Sequence, residues 1–219
     1  MSTVGCEGSS NSANQTNSTD NSAPQAQSSP VSQNTETQAV RVGSPAPTFT
    51  AVDSNGKSHS LSDFKGKTVV LEWTNHECPF VKKHYDSNNM QALQKEKTGK
   101  GVVWLSVISS APGQQGNVTP QKANELTKSR NANPTAVLID TDGKVGRLYQ
   151  ARTTPHMYVI DSNGVLQYMG AIDDNPSKNP EDVKTANNYV RAAVDSVLKG
   201  EAVKTSTTQP YGCSVKYAS

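Results

Sequence analysis

Five short runs rich in β-branched and aromatic residues punctuate the chain beyond Val40: Thr68–Trp73, Val102–Ile108, Ala136–Asp140, Met157–Asp161 and Val165–Met169. Turn-forming clusters bound most of them, the pattern of strands. The early runs are almost continuously apolar, as strands are when covered on both faces of a sheet. Helical patterns lie between them. One runs from Pro79 to about Lys97, and a second spans Thr119–Arg130 behind a Thr-Pro cap. A third opens at Asn179-Pro180-Glu181-Asp182, with Asn as N-cap, Pro at the first helical position and acids in the first turn. Its apolar residues Val183, Ala186, Val190, Ala193 and Val197 recur at helical spacing, and Gly200 ends it. Asp161-Ser162-Asn163-Gly164 reads as a hairpin turn. The order of elements predicts an α/β fold, a three-layer sandwich around a central mixed β-sheet.

The chain is 33% hydrophobic and 5% aromatic, low for its 219 residues. The deficit is local. Residues 1–40 are Ser, Asn, Gln, Thr and Ala with scattered Pro, a composition that cannot offset its ordering entropy by burial. They are expected to form a disordered low-complexity tether, followed by a folded domain over 41–199 and a tail over 200–219. A net charge of +2 excludes the strong field of a nucleic-acid or membrane-surface binder. No apolar run reaches the roughly eighteen residues of a spanning helix, so any membrane attachment has to come from another device.

Cysteine supplies the chemistry. The three are Cys6, Cys78 and Cys213, with no CxxC and no close pair of the kind that holds zinc, so neither metal nor organic cofactor is implied. Cys78 follows the strand Thr68–Trp73 and is itself followed by Pro79, a residue suited to the first helical position because the donor it lacks would be an orphan. Cys78 therefore sits at the N-cap, with the amides of Phe80 and Val81 free to face its sulfur. The helix dipole favours an anion there by about 0.3–1 kcal/mol. Lys82, one turn on, is expected to add to the effect, and Glu77 to oppose it. The thiolate is the form that attacks disulfides and peroxides. A buried, inert cysteine is the competing reading.

Thr153-Thr154-Pro155-His156 stands directly before the strand run at Met157. A proline at the mouth of a central strand removes a ladder donor, and a cis Thr154-Pro155 bond that exposes a backbone edge is one reason to keep it. A simple strand-start proline is the other reading.

A Cys-Pro helix start followed about seventy-five residues later by Thr-Pro at a strand start resembles the thioredoxin superfamily. More narrowly, Gly43-Ser44-Pro45-Ala46-Pro47-Thr48-Phe49, then Asp53-Ser54-Asn55-Gly56-Lys57 and Leu61-Ser62-Asp63-Phe64-Lys65-Gly66-Lys67, resemble its redoxin branch. That is the alkyl hydroperoxide reductase and thiol-specific antioxidant, peroxiredoxin-like, family. The resemblance covers residues 41 to about 199 and implies a thioredoxin-like fold and a thiol-dependent oxidoreductase reducing peroxides or protein disulfides through Cys78. Electrons would come from a dithiol protein such as a thioredoxin. Thr154 and Pro155 would shape the substrate edge. Asn75 stands three residues before Cys78, where peroxiredoxins have Thr or Ser, with Thr74 one position earlier; Arg152 is the nearest counterpart of their arginine. Val81 stands where thioredoxins have their second cysteine.

In place of a CxxC partner, Cys213 is the resolving candidate. It lies in Pro210-Tyr211-Gly212-Cys213-Ser214-Val215-Lys216-Tyr217, whose alternating character suggests docking, with Gly212 lending backbone freedom. A permanent Cys78–Cys213 bridge and a free Cys213 are the alternatives. His156 is a candidate to tune Cys78, and His76 and Glu77 to move protons. His84, six residues beyond Cys78, and Trp73 read as structural. Thr3-Val4-Gly5-Cys6 before a polar run resembles a bacterial lipoprotein processing site, which would make Cys6 a lipid anchor. The expected location is then the bacterial envelope or periplasm, with the cytoplasm as alternative. A non-enzymatic envelope scaffold with a structural disulfide is the competing class.

Overall fold

The computed structural model describes residues 40–219. Cys6 and almost all of the expected tether lie outside the described residues.

Among the described residues nine strands and five α-helices follow in order: β1 (Thr50–Val52), β2 (Ser58–Ser60), β3 (Val69–Trp73), α1 (Pro79–Asp86), α2 (Asn89–Thr98), β4 (Val103–Ile108), α3 (Pro120–Ser129), β5 (Ala136–Ile139), α4 (Lys144–Leu148), β6 (Thr153–Thr154), β7 (His156–Ile160), β8 (Leu166–Gly170), α5 (Tyr189–Lys199) and β9 (Cys213–Ser214). The central sheet has the order β5-β4-β3-β7-β8. β3, β4 and β5 run parallel, while β7 pairs antiparallel with both β3 and β8. It is a mixed sheet, as the order of elements predicts, and each of the five expected strands is present within two residues of its expected bounds.

Strand periodicity divides the core in two. Val69, Leu71, Trp73, Leu105, Val107, Tyr158 and Ile160 face one layer, which Phe49, Val145 and Tyr149 help fill. Val70, Trp104, Met157 and Val159 face the other, packed by Val81, Tyr85, Met90 and Leu93 of α1 and α2 and by Val190, Ala193 and Val194 of α5. Trp73 and Trp104, from adjacent strands, are both fully buried on opposite faces. Truncating either to alanine would cost about 3–5 kcal/mol.

The single helix expected from Pro79 to Lys97 is two helices. Asn88 takes a left-handed conformation (φ 59°) and turns the chain between α1 and α2. The helix expected from Asn179 starts instead at Tyr189, capped by the Asn188 side chain on the Arg191 amide. Pro180–Lys184 makes only a 3₁₀ turn, so Val183 and Ala186 are not on the helix. Asn179 and Asn188 each cap a helical turn, and the second continues as a helix that buries Val190, Ala193 and Val194. The Thr119 cap of α3 and the Asp161–Gly164 hairpin form as expected. The small β1–β2 hairpin and α4 have no strong periodicity and are visible only in three dimensions.

Candidate active site

The site grows from the carboxyl end of β3. The chain leaves the sheet at Trp73, whose indole N–H donates to the Ser109 hydroxyl (3.0 Å). Asn75 is buried and turns the loop: its side-chain oxygen accepts from the Glu77 amide (2.9 Å) and its amide group donates to the Gln115 carbonyl (3.4 Å). Cys78 then takes the N-cap position of α1, with Pro79 at the first helical position.

Pro155 is preceded by a cis peptide bond. The Cys78 thiol donates to the Thr154 carbonyl (3.1 Å). Across from Thr154, in register, stands Cys213, because β6 and β9 form a two-residue antiparallel ladder. Cys78 is therefore flanked by the Cys213 thiol and amide on one side and the Val81 amide on the other. Both cysteines are free thiols. Cys78 is wholly buried; Cys213 is half-buried.

Burial pushes the Cys78 thiol up, but hydrogen bonds from the Cys213 thiol, the Val81 amide, Thr154 and the Cys213 backbone outweigh it, and the net direction is down, toward thiolate. Cys213 goes the other way, to about 11, through burial and the neighbouring Cys78. One proton shared unequally between two sulfurs leaves the charge on Cys78.

Gly212 makes this approach possible. Its φ is +136°, and a Cβ built on it would lie 2.1 Å from the Thr154 carbonyl oxygen, closer than any side chain tolerates.

Comparison with known proteins gives this geometry its family. A family model described as the AhpC/TSA family matches residues 42–169. This chain belongs to the AhpC/TSA family. Among curated relatives it is 32% identical over 135 residues to the thiol-disulfide oxidoreductase ResA of Geobacillus kaustophilus, covering 61% of this chain and 71% of that one. It is 29% identical over 138 residues to the chloroplastic peroxiredoxin Q of Oryza sativa subsp. japonica, covering 59% and 58%. Among solved structures, an uncharacterized conserved protein from Geobacillus kaustophilus matches with a TM-score of 0.70 at 26% identity, over 81% of this chain and 93% of that one. A protein of Sinorhizobium meliloti 1021 matches in fold with a TM-score of 0.67 at 24% identity, over 83% and 97%. The fold is thioredoxin-like, and the chain is a thiol oxidoreductase.

Several residues singled out in the sequence do not meet the sulfur. His156 points to the opposite face of the sheet: its ring lies 4.6 Å from Tyr158 and its Nδ1 accepts from the Arg152 amide (3.2 Å). Burial, with the Arg152 charge, pulls its pKa to about 3. It does not tune Cys78, because strand alternation turns it away. Arg152 is exposed and lines a cavity of about 150 Å³ with His156, Gln150 and Thr207. Lys82 is exposed on α1. Pro79 is also exposed, on the outer edge of the helix start. Thr74 faces another cavity, with its hydroxyl buried and unpartnered. Glu77 accepts from the Gly116 amide (2.6 Å), so it fastens a loop. His76 offers its carbonyl to Arg130 (2.9 Å), and burial, reinforced by Arg130, moves its pKa down despite Glu77.

Other residues matter more than the sequence suggests. Glu72, in the middle of β3, is wholly buried and accepts from Tyr85 (2.8 Å), Trp104 (2.7 Å), Ser106 (3.0 Å) and Gln94 (3.0 Å). A lone acid in an apolar strand run was the available signal. Tyr211 and Asp173, which carry none, hold the tail beside Cys78.

Proposed function

We propose that this chain exchanges disulfides with protein partners through Cys78 as nucleophile and Cys213 as resolving thiol. The observation that carries the reading is the β6–β9 ladder, which sets Cys213 opposite Thr154 and so beside the Cys78 sulfur. The Cys78 thiolate attacks one sulfur of a substrate disulfide, forming a mixed disulfide and releasing the first substrate thiolate, which takes up a proton. Cys213 then loses its proton and attacks Cys78. The second substrate thiol leaves, and the chain holds a Cys78–Cys213 disulfide. The substrate has gained two electrons, and a dithiol donor protein of the thioredoxin kind returns them. Thr154 and Pro155 offer the backbone edge on which partner and tail compete.

Disulfide chemistry fits better than peroxide chemistry for one local reason. Asn75, at the position from which peroxiredoxins orient peroxide, spends both ends of its amide on the loop. The peroxide reading, with its antioxidant role, has one observation in favour: the wholly buried Cys78 is more accessible to a small molecule than to a protein. The Thr3–Cys6 motif supports an envelope location with Cys6 as lipid anchor; intact-mass analysis of the native protein lacking any lipid on Cys6 would remove it.

The deciding experiment treats reduced protein with a protein disulfide or with hydrogen peroxide, then maps peptides under non-reducing conditions. A linked Cys78–Cys213 pair, reversible by dithiothreitol and formed faster with the disulfide, is the expected result. Two unmodified thiols in both cases would sink the reading, and a faster reaction with peroxide would reverse the order of substrates.

A further inference from the structure

The segment that carries Cys213 is fastened on both sides of the sulfur. Downstream, the Val215 amide donates to the Arg152 carbonyl (3.0 Å), the Ala111 amide to the Lys216 carbonyl (2.8 Å), and the Tyr217 hydroxyl to the Ala151 carbonyl (2.8 Å). Upstream, the last backbone anchor is Thr208, whose amide donates to the Met169 carbonyl (3.1 Å). Between Thr208 and Cys213 the fastening rests on one side chain, Tyr211.

The Tyr211 hydroxyl donates to the Asp173 carboxylate, which is 2% exposed. The Lys83 ammonium, 1% exposed, lies 3.6 Å from the same carboxylate and donates to the Asn175 carbonyl (2.6 Å). His84 is wholly buried, and burial together with the Lys83 charge pulls its pKa to about 3, so the ring is neutral. Its Nδ1 takes a hydrogen bond from the Asn89 amide (2.9 Å), which leaves the Nε2 proton to donate to the Tyr211 oxygen (3.1 Å). The Tyr211 ring meets Phe80 edge-on at 5.8 Å, and Phe80 is the second residue of the helix that Cys78 caps. A buried carboxylate and a buried imidazole thus meet on the oxygen of a residue two positions from Cys213, with the buried Lys83 ammonium beside that carboxylate. A purely packed tail has no need of them, since burying charge is costly unless each group finds its partner.

We propose that Tyr211 is a positioning residue for the thiol pair: its hydrogen bond to Asp173 latches residues 211–214 over Cys78, and release of that latch uncovers the sulfur for a protein-sized partner. The proposal deepens the two-cysteine reading above and rests on it. Latched, Cys213 stands at high effective concentration beside Cys78, which favours the internal disulfide. Unlatched, the short segment after Thr208 swings out and the Thr154 edge is free for a partner's strand. The latch therefore sets the balance between resolving a mixed disulfide and forming one.

Tyr211→Phe keeps the ring against Phe80 and removes only the hydroxyl; Asp173→Asn weakens the same bond from the other end. In full-length protein carrying Cys213→Ala, Cys78 is alkylated with iodoacetamide and with a polyethylene glycol maleimide of protein-like size. With Cys213 intact, the Cys78–Cys213 disulfide is equilibrated against glutathione. Tyr211→Phe should speed the bulky reagent about tenfold to a hundredfold, the effect of losing a hydrogen bond to a charged acceptor, and shift the glutathione equilibrium toward open thiols in proportion. Asp173→Asn should move both in the same direction. Unchanged rates in both variants would overturn the latch. So would an equal acceleration of both reagents together with a lower Tm, which marks general loosening. A wild-type protein that forms no Cys78–Cys213 disulfide refutes the two-cysteine reading, while the alkylation comparison still decides the latch.

Discussion

Cys213 stands directly across the β6–β9 ladder from Thr154, whose carbonyl accepts from the Cys78 thiol at 3.1 Å. One backbone group thereby measures the distance between a sulfur at a helix start and a sulfur 135 residues later in the chain, 78 to 213. The surroundings of the two sulfurs act in opposite directions: Cys78 is held toward thiolate, and Cys213 toward thiol.

Replacing either sulfur should separate the steps. Cys78→Ser should fall below about a thousandth of wild-type turnover, because a hydroxyl provides almost no anion at neutral pH. Cys213→Ser should instead stall after the first step, and non-reducing mass analysis should find the substrate joined to Cys78. A Cys213→Ser variant that turns over at the wild-type rate would remove Cys213 from the mechanism.

Gly212→Ala should disconnect the pair without touching either sulfur. Its Cβ would fall 2.1 Å from the Thr154 carbonyl oxygen, in a backbone conformation that disfavours any side chain. The β6–β9 ladder should open, at a stability cost of about 1–3 kcal/mol. Urea unfolding reads the loss, and peptide mapping after oxidation should show the Cys78–Cys213 link forming at least about tenfold more slowly, in keeping with a lost effective concentration.

The pH dependence of Cys78 alkylation should have its midpoint below the ordinary thiol range, and Cys213→Ala should raise it, since the Cys213 thiol is the strongest of the groups that favour the anion. Linkage follows with a defined sign. Cys78, depressed in the fold, contributes stability that is present above the unfolded thiol's range and lost as pH falls through its folded value. Cys213, raised, contributes stability that is full below that range and lost as pH climbs toward about 11. A Cys213→Ala midpoint equal to the wild type would refute the assigned hydrogen bond.

Glu72→Leu should destabilise by about 3 kcal/mol or more, because four buried donors lose their acceptor at once. Glu72→Gln, which turns an amide group toward donors, should cost about 1–3 kcal/mol. Burial raises the Glu72 pKa despite the donors, so its contribution is full below the unfolded carboxyl range and falls as pH rises through the folded value. Denaturation at two pH values should therefore show a smaller decline toward neutral pH in Glu72→Gln.

Periodicity alone located the five central strands, and the Cys78-Pro79 and Thr154-Pro155 dipeptides located a helix start and a cis bond, because these depend on a few neighbouring residues. Local signals also named Cys213 as a partner for Cys78, though only by elimination. They misplaced the start of α5: Asn179 caps only a 3₁₀ turn, and Asn188 caps the helix whose apolar face reaches the core. They also misread His156, since its face of the sheet depends on the register of β7 with β3. Burial, register and the approach of distant segments exist only in the folded chain. Tyr211 finding Asp173, and Cys213 finding Thr154, are decisions of tertiary structure: loop closure brings together groups 38 and 59 residues apart. No sequence window holds both partners. What the sequence determined by itself is a thiol at the head of a helix; what tertiary structure decided is which distant groups stand beside it, because only the folded chain brings the Thr154 carbonyl and Cys213 to that sulfur.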